Sequence, residues 1–371
     1  MKIALVIGLF DRNAEHFVEQ IAFCEEVDDV FVIRDTPAKA IPKVHYITPI
    51  RKFPKVFRAL IKFILLLRVS WREDIDYIHS FLLFPHGYIG LLCGILTHKK
   101  TGVSFIAGPI ELFNLEVCNV IGKYPYLPYN KSISKKKRIF FLKYYLINKF
   151  SILTTTGDYT KSVLERYGIS NSKIYVLPHT VDDRFKPIGC TKIYDLIVVG
   201  RLARVKHLST FIRALALIKD ELPSVHAVIV GDGECIQSLR QLAQSLSLGE
   251  ETLHFAGYQM NVWEWYNRSR ISIISSEREG FPYTAIESLK CGVPVITSNC
   301  GDICDIVKDR YNGCVIQEYD DVEGFAQAIV ELLQNEDELK RMTENAVPSV
   351  ASVNHEHVCE IWDNILRKVN D

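Results

Sequence analysis

Two glutamates with seven residues between them, Glu279 and Glu287, sit in the stretch Ser275–Asn299, SSEREGFPYTAIESLKCGVPVITSN. An ionised carboxylate accepts two hydrogen bonds from neighbouring hydroxyls, which suits a ribose diol or a sugar ring. Two cations five positions apart, Arg201 and Lys206, follow another apolar run in GRLARVK. Arginine offers a planar fork to phosphate oxygens and lysine a movable point charge, so the pair could grip a diphosphate. They would also neutralise charge growing on a departing diphosphate. A third feature is the turn Gly231-Asp232-Gly233. It lacks the third glycine of a dinucleotide fingerprint, since position 236 is Ile, but it lets a nucleotide lie close to the backbone.

The elements that must position these groups follow from hydrophobic patterning. Ile271–Ile274 reads as a strand, a loop follows with Gly280 and Pro282, then a short helix closed by Gly292, then a strand at Val293–Thr297. That unit builds parallel sheets, and the helix start aims free backbone N–H groups over the sheet edge. Further strands are expected at Lys2–Ile7, Val30–Ile33, Asp76–His79, Val103–Ile106, Ile152–Thr155, Ile174–Leu177, Leu196–Val199, Ala227–Val230 and Leu253–Phe255, with an edge strand at Cys314–Ile316. Helices are expected between them, among them Asn13–Glu26, Thr160–Tyr167, Leu208–Lys219 and Glu234–Ser245, and amphipathic ones at Val322–Leu333 and Val353–Val369. This alternation predicts an α/β protein with doubly wound parallel sheets. About eleven strands exceed one ordinary open sheet. The segment Pro178–Thr191, PHTVDDRFKPIGCT, has no period and two prolines, so it divides the chain. The expected domains are 1–180 and 192–350, with a terminal helical segment at 351–371.

With 371 residues, 48% hydrophobic and 24% charged, the chain has the make-up of a globular protein with a large core. Its net charge of zero gives no global reason to expect nucleic acid. Ten cysteines without a C-x-x-C pair argue against a zinc ribbon and suit thiols in a reducing cytoplasm. Met1–Leu9 is too short for a signal peptide and reads as a first buried strand. No uncharged apolar run reaches the roughly 18 residues of a membrane span. Two stretches stand apart. In 51–71, RKFPKVFRALIKFILLLRVSW, Lys55, Arg58 and Lys62 line one helix face opposite Leu, Ile and Phe. In 131–150, KSISKKKRIFFLKYYLINKF, four basic residues precede a run of aromatics. Both suit an anionic membrane surface, on the inner face of the cell membrane.

Several of these motifs, taken in order, resemble a known family. Arg201 with Lys206, Val230-Gly231-Asp232-Gly233, Phe255-Ala256-Gly257, Ser276-x-x-Glu279-Gly280-Phe281-Pro282, Glu287 and Cys291-Gly292-Val293-Pro294-Val295 are similar to the second domain of retaining, family-four glycosyltransferases of the GT-B fold. Thr156-x-Asp158-Tyr159 and Val181-Asp182-x-x-Phe185 resemble that family's crossing between domains. The resemblance implies two facing Rossmann-like domains, a cleft between them, and a C-terminal helix that crosses back to the first. It implies a nucleotide-diphosphate sugar as donor, with Arg201 and Lys206 on its pyrophosphate, Glu287 on the ribose and Glu279 on the sugar. The N–H groups of Tyr283 and Thr284 would add to the phosphate grip, beside Gly280, Phe281 and Pro282, and Gly257 and Tyr258 would meet the base. Gly8 stands where the family's glycine-rich loop approaches the donor. No cofactor or metal is implied, configuration is retained, and the acceptor is a glycan or lipid-linked molecule held by the first domain. The family's usual first-domain histidine is Ala107 here, in Ala107-Gly108-Pro109-Ile110-Glu111, which leaves Glu111 as the candidate to orient an acceptor hydroxyl. A non-hydrolysing sugar-nucleotide epimerase and a non-catalytic binding member are the alternatives.

Overall fold

The computed structural model describes residues 1–8, 11–36, 38–48, 55–112 and 144–370. The chain divides into two compact units, Met1–Pro178 with Asn354–Asp371, and His179–Val353.

The first unit carries seven parallel strands: β1 Lys2–Val6, β2 Asp29–Ile33, β3 Val44–Ile47, β4 Tyr77–Phe81, β5 Lys100–Phe105, β6 Ile152–Thr155 and β7 Ile174–Val176. Their order is β3-β2-β1-β4-β5-β6-β7. Successive side chains point to opposite faces, so each strand feeds two cores. Ile3, Leu5 and Ile7 pack with Phe17, Val18 and Ile21 of the helix Asp11–Ala22. Val358, Trp362 and Ile365 of the helix His355–Asn370 join that same cluster, so the C-terminal helix belongs to the first unit's core. On the opposite face Ala4 and Val6 pack with Leu66 and Val69 of the helix Lys55–Arg72 and Cys93 of the helix Tyr88–Thr97. Burial on both faces is why these strands read as continuous apolar runs.

The second unit carries β8 Tyr194–Val199, β9 Ala227–Val230, β10 Leu253–Gly257, β11 Ser269–Ile274, β12 Val295–Ser298 and β13 Gly313–Ile316, in the order β10-β9-β8-β11-β12-β13. Leu196, Val198, Ile271 and Ile273 face a cluster with Phe211, Leu215, Phe325 and Ile329, and Ile197 faces the other way with Tyr266 and Val293. In each sheet the chain winds outward from one strand in one direction and then returns to its other side. The reversal lies between β1 and β4 in the first unit and between β8 and β11 in the second. Such a switch point opens a crevice beyond the strands' C-terminal ends, where ligands bind in this architecture.

Two sequence expectations need correction. β3 was not expected: it is four residues long, partly exposed, and pairs only with β2. Lys62 does not lie on a solvated basic face. It is buried, its Nζ donates to Asp35 Oδ2 at 2.9 Å, and it stands 3.2 Å from His86 Nε2. Asp35 follows the end of β2, so a charge drawn from another element turned this position inward. In the basic-aromatic stretch 131–150, Ile147 and Phe150 are core residues packed with Leu83, Val103 and Phe105, while 131–143 lies outside the described residues. Among the described residues no helix is long and apolar enough to cross a membrane.

Candidate functional site

The second unit's switch point is built by loops that lock onto one another. After β8 the chain runs through Gly200–Ala203 into a single 3-10 turn, Arg204–Lys206. Leu202 N–H donates to Asp232 O at 2.9 Å and Gly231 N–H to Gly257 O at 2.8 Å, which ties the loops after β8, β9 and β10 together. Gly231 has φ +146°, and a Cβ there would overlap the carbonyl oxygen of Gly200. The turn is therefore a close approach of two loops that only glycine permits.

A second set of bonds ties the loop after β11 to its neighbours. Glu277 N–H donates to Val205 O at 2.9 Å, and Ser298 Oγ to Ser276 O at 2.6 Å. Asp302 N–H donates to Gly280 O at 2.9 Å. Gly301 has φ +59°, and a Cβ there would overlap the carbonyl oxygen of Glu279. The loop that carries Glu279 is thus held on both sides before its helix, Tyr283–Lys290, begins.

Within this frame Lys206 Nζ donates to Glu279 Oε1 at 2.6 Å, and Ser276 Oγ donates to the same oxygen at 2.6 Å. The Lys206 side chain is 28% exposed and that of Glu279 11%. Charge and carboxylate therefore meet largely out of water, where attraction is stronger than at the surface. A crevice lies against them, lined in part by Gly200, Arg201, Lys206, Ser276, Glu279 and Thr284. Arg201 Nη2 reaches Glu234 Oε1 at 3.2 Å, an exposed contact of little energetic weight. Glu287 lies one helical turn beyond Tyr283, with Tyr266 Oη 3.4 Å from its Oε2. His179 is buried beneath the helix start, stacked on Tyr283 at 4.4 Å and edge-on to Phe281 at 5.4 Å. Burial lowers its pKa to about 3, so it packs as a neutral ring.

Two family models match the chain. Glycosyl transferases group 1 matches residues 182–347, and Glycosyltransferase Family 4 matches residues 18–185. Together the two models match residues 18–347, one on each half of the chain, and they support a group 1 glycosyltransferase. The poly(glycerol-phosphate) alpha-glucosyltransferase of Bacillus subtilis is 27% identical over 192 residues, 51% of this chain and 28% of that protein. The GalNAc-alpha-(1->4)-GalNAc-alpha-(1->3)-diNAcBac-PP-undecaprenol alpha-1,4-N-acetyl-D-galactosaminyltransferase of Campylobacter jejuni is 27% identical over 222 residues, 59% of this chain and 60% of that one. In neither does the match reach two thirds of the relative's length. The crystal structure of Anabaena HepE in complex with UDP superposes with a TM-score of 0.75 at 16% identity, covering 100% of both chains. It shares the GT-B fold with this chain, two Rossmann-like domains each built on a parallel sheet.

The second unit gathers Arg201, Lys206, Glu279 and Thr284 around one crevice. Gly280, Phe281, Pro282 and Tyr283 form the approach to the helix that bears Glu287. Tyr258 stands 69% exposed just after Gly257, at the end of β10. Gly8 and Glu111 are in the first unit. The His86 imidazole occupies the space a Cβ on Gly8 would need. Glu111 accepts from Leu83 N–H at 2.6 Å and Ala107 N–H at 2.7 Å, so it staples the turns that follow β4 and β5. Burial raises its pKa to about 7, against the lowering effect of those N–H donors. Sequence reasoning missed Glu234, Tyr266 and His179, and gave Ser276 no role of its own. Only Ser276 carried a local signal, three residues before the glutamate it holds.

Proposed function

We propose that this chain is a retaining glycosyltransferase. It moves a sugar from a nucleotide-diphosphate sugar to a glycan or lipid-linked acceptor, in cell-surface polysaccharide or glycolipid synthesis. The observation that carries the reading is the Lys206–Glu279–Ser276 cluster, 2.6 Å on each side, at the switch point beside Arg201. Cations preset over a sheet edge suit a diphosphate, and carboxylates beside them suit sugar hydroxyls. The α-linkages in the names of both relatives favour retention.

In this reading the donor pyrophosphate takes Lys206 from Glu279 and Arg201 from Glu234, and the N-terminus of the 283–290 helix adds its positive end. Glu279, released, accepts from sugar hydroxyls, and Glu287 from the ribose. The acceptor oxygen bonds to the anomeric carbon on the face the diphosphate leaves. The bond from that carbon to the phosphate oxygen breaks with its electron pair on the diphosphate, and the acceptor proton passes to that oxygen. Lys206 and Arg201 hold the charge that develops, stabilisation fixed before the reaction begins. The two cations supply this charge in a scheme that needs no bound metal. A cytoplasmic chain, where nine described cysteines remain thiols, completes the proposal.

The test is incubation with a panel of nucleotide sugars, with and without a lipid-linked acceptor, reading released nucleoside diphosphate and the anomeric configuration by NMR. Release of nucleoside diphosphate with a retained linkage supports the proposal. A C2-inverted sugar nucleotide as sole product identifies an epimerase, and binding without turnover a non-catalytic member.

A further inference from the structure

Lys206 is followed by a residue whose backbone conformation a side chain disfavours. His207 has φ +47° and ψ +37°, the left-handed region that glycine enters freely. Its N–H donates to Arg204 O at 3.0 Å, and the helix Leu208–Ile218 begins at the next residue. The chain therefore passes from the 3-10 turn into the helix through this one residue, directly after the cation. A non-glycine residue persists in such a conformation where its surroundings over-determine it. His207 Nδ1 stands 2.8 Å from Thr210 Oγ1 in the first turn of the helix, and Thr210 is buried. The imidazole also lies edge-on to Tyr319, with ring centroids 4.6 Å apart and planes at 79°.

A hydroxyl from the neighbouring loop grips the same place. Ser275 directly follows β11 and is buried. Its Oγ donates to Lys206 O and to His207 O, each at 3.2 Å, one proton shared between two carbonyls. Glu277 N–H takes Val205 O at 2.9 Å. The carbonyls of 205, 206 and 207 thus all accept from the segment 275–277. Ser276, between those two donors, gives its own hydroxyl to Glu279. One short segment therefore sets the backbone beneath Lys206 and the carboxylate that Lys206 meets. A lysine stem is flexible, so fixing its backbone narrows the space its ammonium samples before a ligand arrives. We propose that Ser275 and His207 are positioning residues for Lys206, holding its loop so that the ammonium is preset for a diphosphate. The inference rests on the donor reading above and adds the side chains through which Lys206 is placed. When a diphosphate draws Lys206 from Glu279, the clamped backbone keeps the released ammonium at the crevice.

Calorimetric titration of the full chain with UDP tests this, in the wild type and in a Lys206→Met background. Lys206→Met alone should weaken UDP binding about tenfold or more, the size of a lost charge-assisted hydrogen bond. Ser275→Ala should weaken it about twofold to tenfold, the span of one lost neutral hydrogen bond. His207→Gly keeps the left-handed backbone, removes the ring contacts and should weaken binding to a similar degree. His207→Asn, a polar side chain that tolerates this backbone, should stay within about twofold of the wild type. In the Lys206→Met background, Ser275→Ala and His207→Gly should each change UDP binding by less than about twofold, since no ammonium remains for them to place. A structural role alone would cost the same in both backgrounds, and that additivity would overturn the proposal. So would Ser275→Ala and His207→Gly proteins that bind UDP like the wild type. If Ser275→Ala does not fold, the two His207 variants carry the same test. A Lys206→Met protein that binds UDP like the wild type overturns the donor reading and this inference with it. Additive losses beside a Lys206→Met defect overturn this inference alone.

Discussion

Replacing Lys206 by Met keeps most of its length but removes the charge that Glu279 meets at 2.6 Å. With its side chain only 11% exposed, Glu279 would retain the Ser276 hydroxyl and a thin contact with water. Breaking a fully buried pair costs about 3–5 kcal/mol and a surface pair about 0–1 kcal/mol, so this site falls between, at about 1–3 kcal/mol. For a unit of this size, each kcal/mol lowers the melting temperature by roughly 2–4 °C. Glu279→Gln should cost less, because the amide oxygen still accepts from Ser276. The double variant should be less destabilised than the two single changes summed, the coupling that defines an interacting pair. Function should split in the opposite way. Lys206→Met should weaken binding of a nucleoside diphosphate such as UDP at least tenfold and cut turnover by about a hundredfold or more, the range for a lost transition-state donor. Glu279→Gln should leave UDP binding equal or tighter, since Lys206 no longer has a competing carboxylate, while turnover of the sugar donor falls. Chemical denaturation and calorimetric titration read both halves. Additive stabilities, or a folded Lys206→Met protein that binds UDP within twofold of the wild type, would refute the reasoning.

Glu287→Ala should lower turnover by about a hundredfold or more while the protein stays folded, checked by steady-state kinetics beside a melting curve. Gly231→Ala should destabilise the second unit by about 2–5 kcal/mol, since a Cβ meets the Gly200 carbonyl at a φ few side chains adopt; denaturant titration measures this. Acid should also act through buried neutral histidines. His79, His86 and His179 have pKa values lowered by burial to about 3, 4 and 3. The unfolded chain therefore binds more protons below about pH 6.5, and stability falls as pH drops from there toward 4. Glu111 works the other way: raised to about 7, it favours the folded state as pH falls from 7 toward its unfolded value. Glu111→Gln should steepen the loss of stability between pH 7 and 4.5, and His179→Asn should flatten it, in denaturant melts across that range.

How far these features could be read in advance depends on where their causes lie. The strands of both sheets were legible because they are buried on two faces and are rich in β-branched residues, as Ile152–Thr155 and Ala227–Val230 are. β3 was not, because VHYI at a sheet edge is short and half exposed. The cations and acids of the candidate site were legible because each follows a strand end. Their pairing was not, since Lys206 and Glu279 are 73 positions apart and meet only through the order of the strands. Gly231 announced a turn, while the carbonyl it approaches belongs to another loop. Lys62 shows the opposite failure. Helical periodicity set it with the basic residues, and Asp35 from the next layer turned it inward.

The central claim is that the second unit holds a nucleotide-diphosphate sugar at the crevice bordered by Arg201, Lys206 and Glu279. A crystal structure of the chain soaked with UDP tests it most directly. The account predicts diphosphate oxygens within hydrogen-bond distance of Lys206 Nζ, with Glu279 released from it and Glu287 at the ribose. A diphosphate bound elsewhere, with the Lys206–Glu279 contact intact, would contradict it.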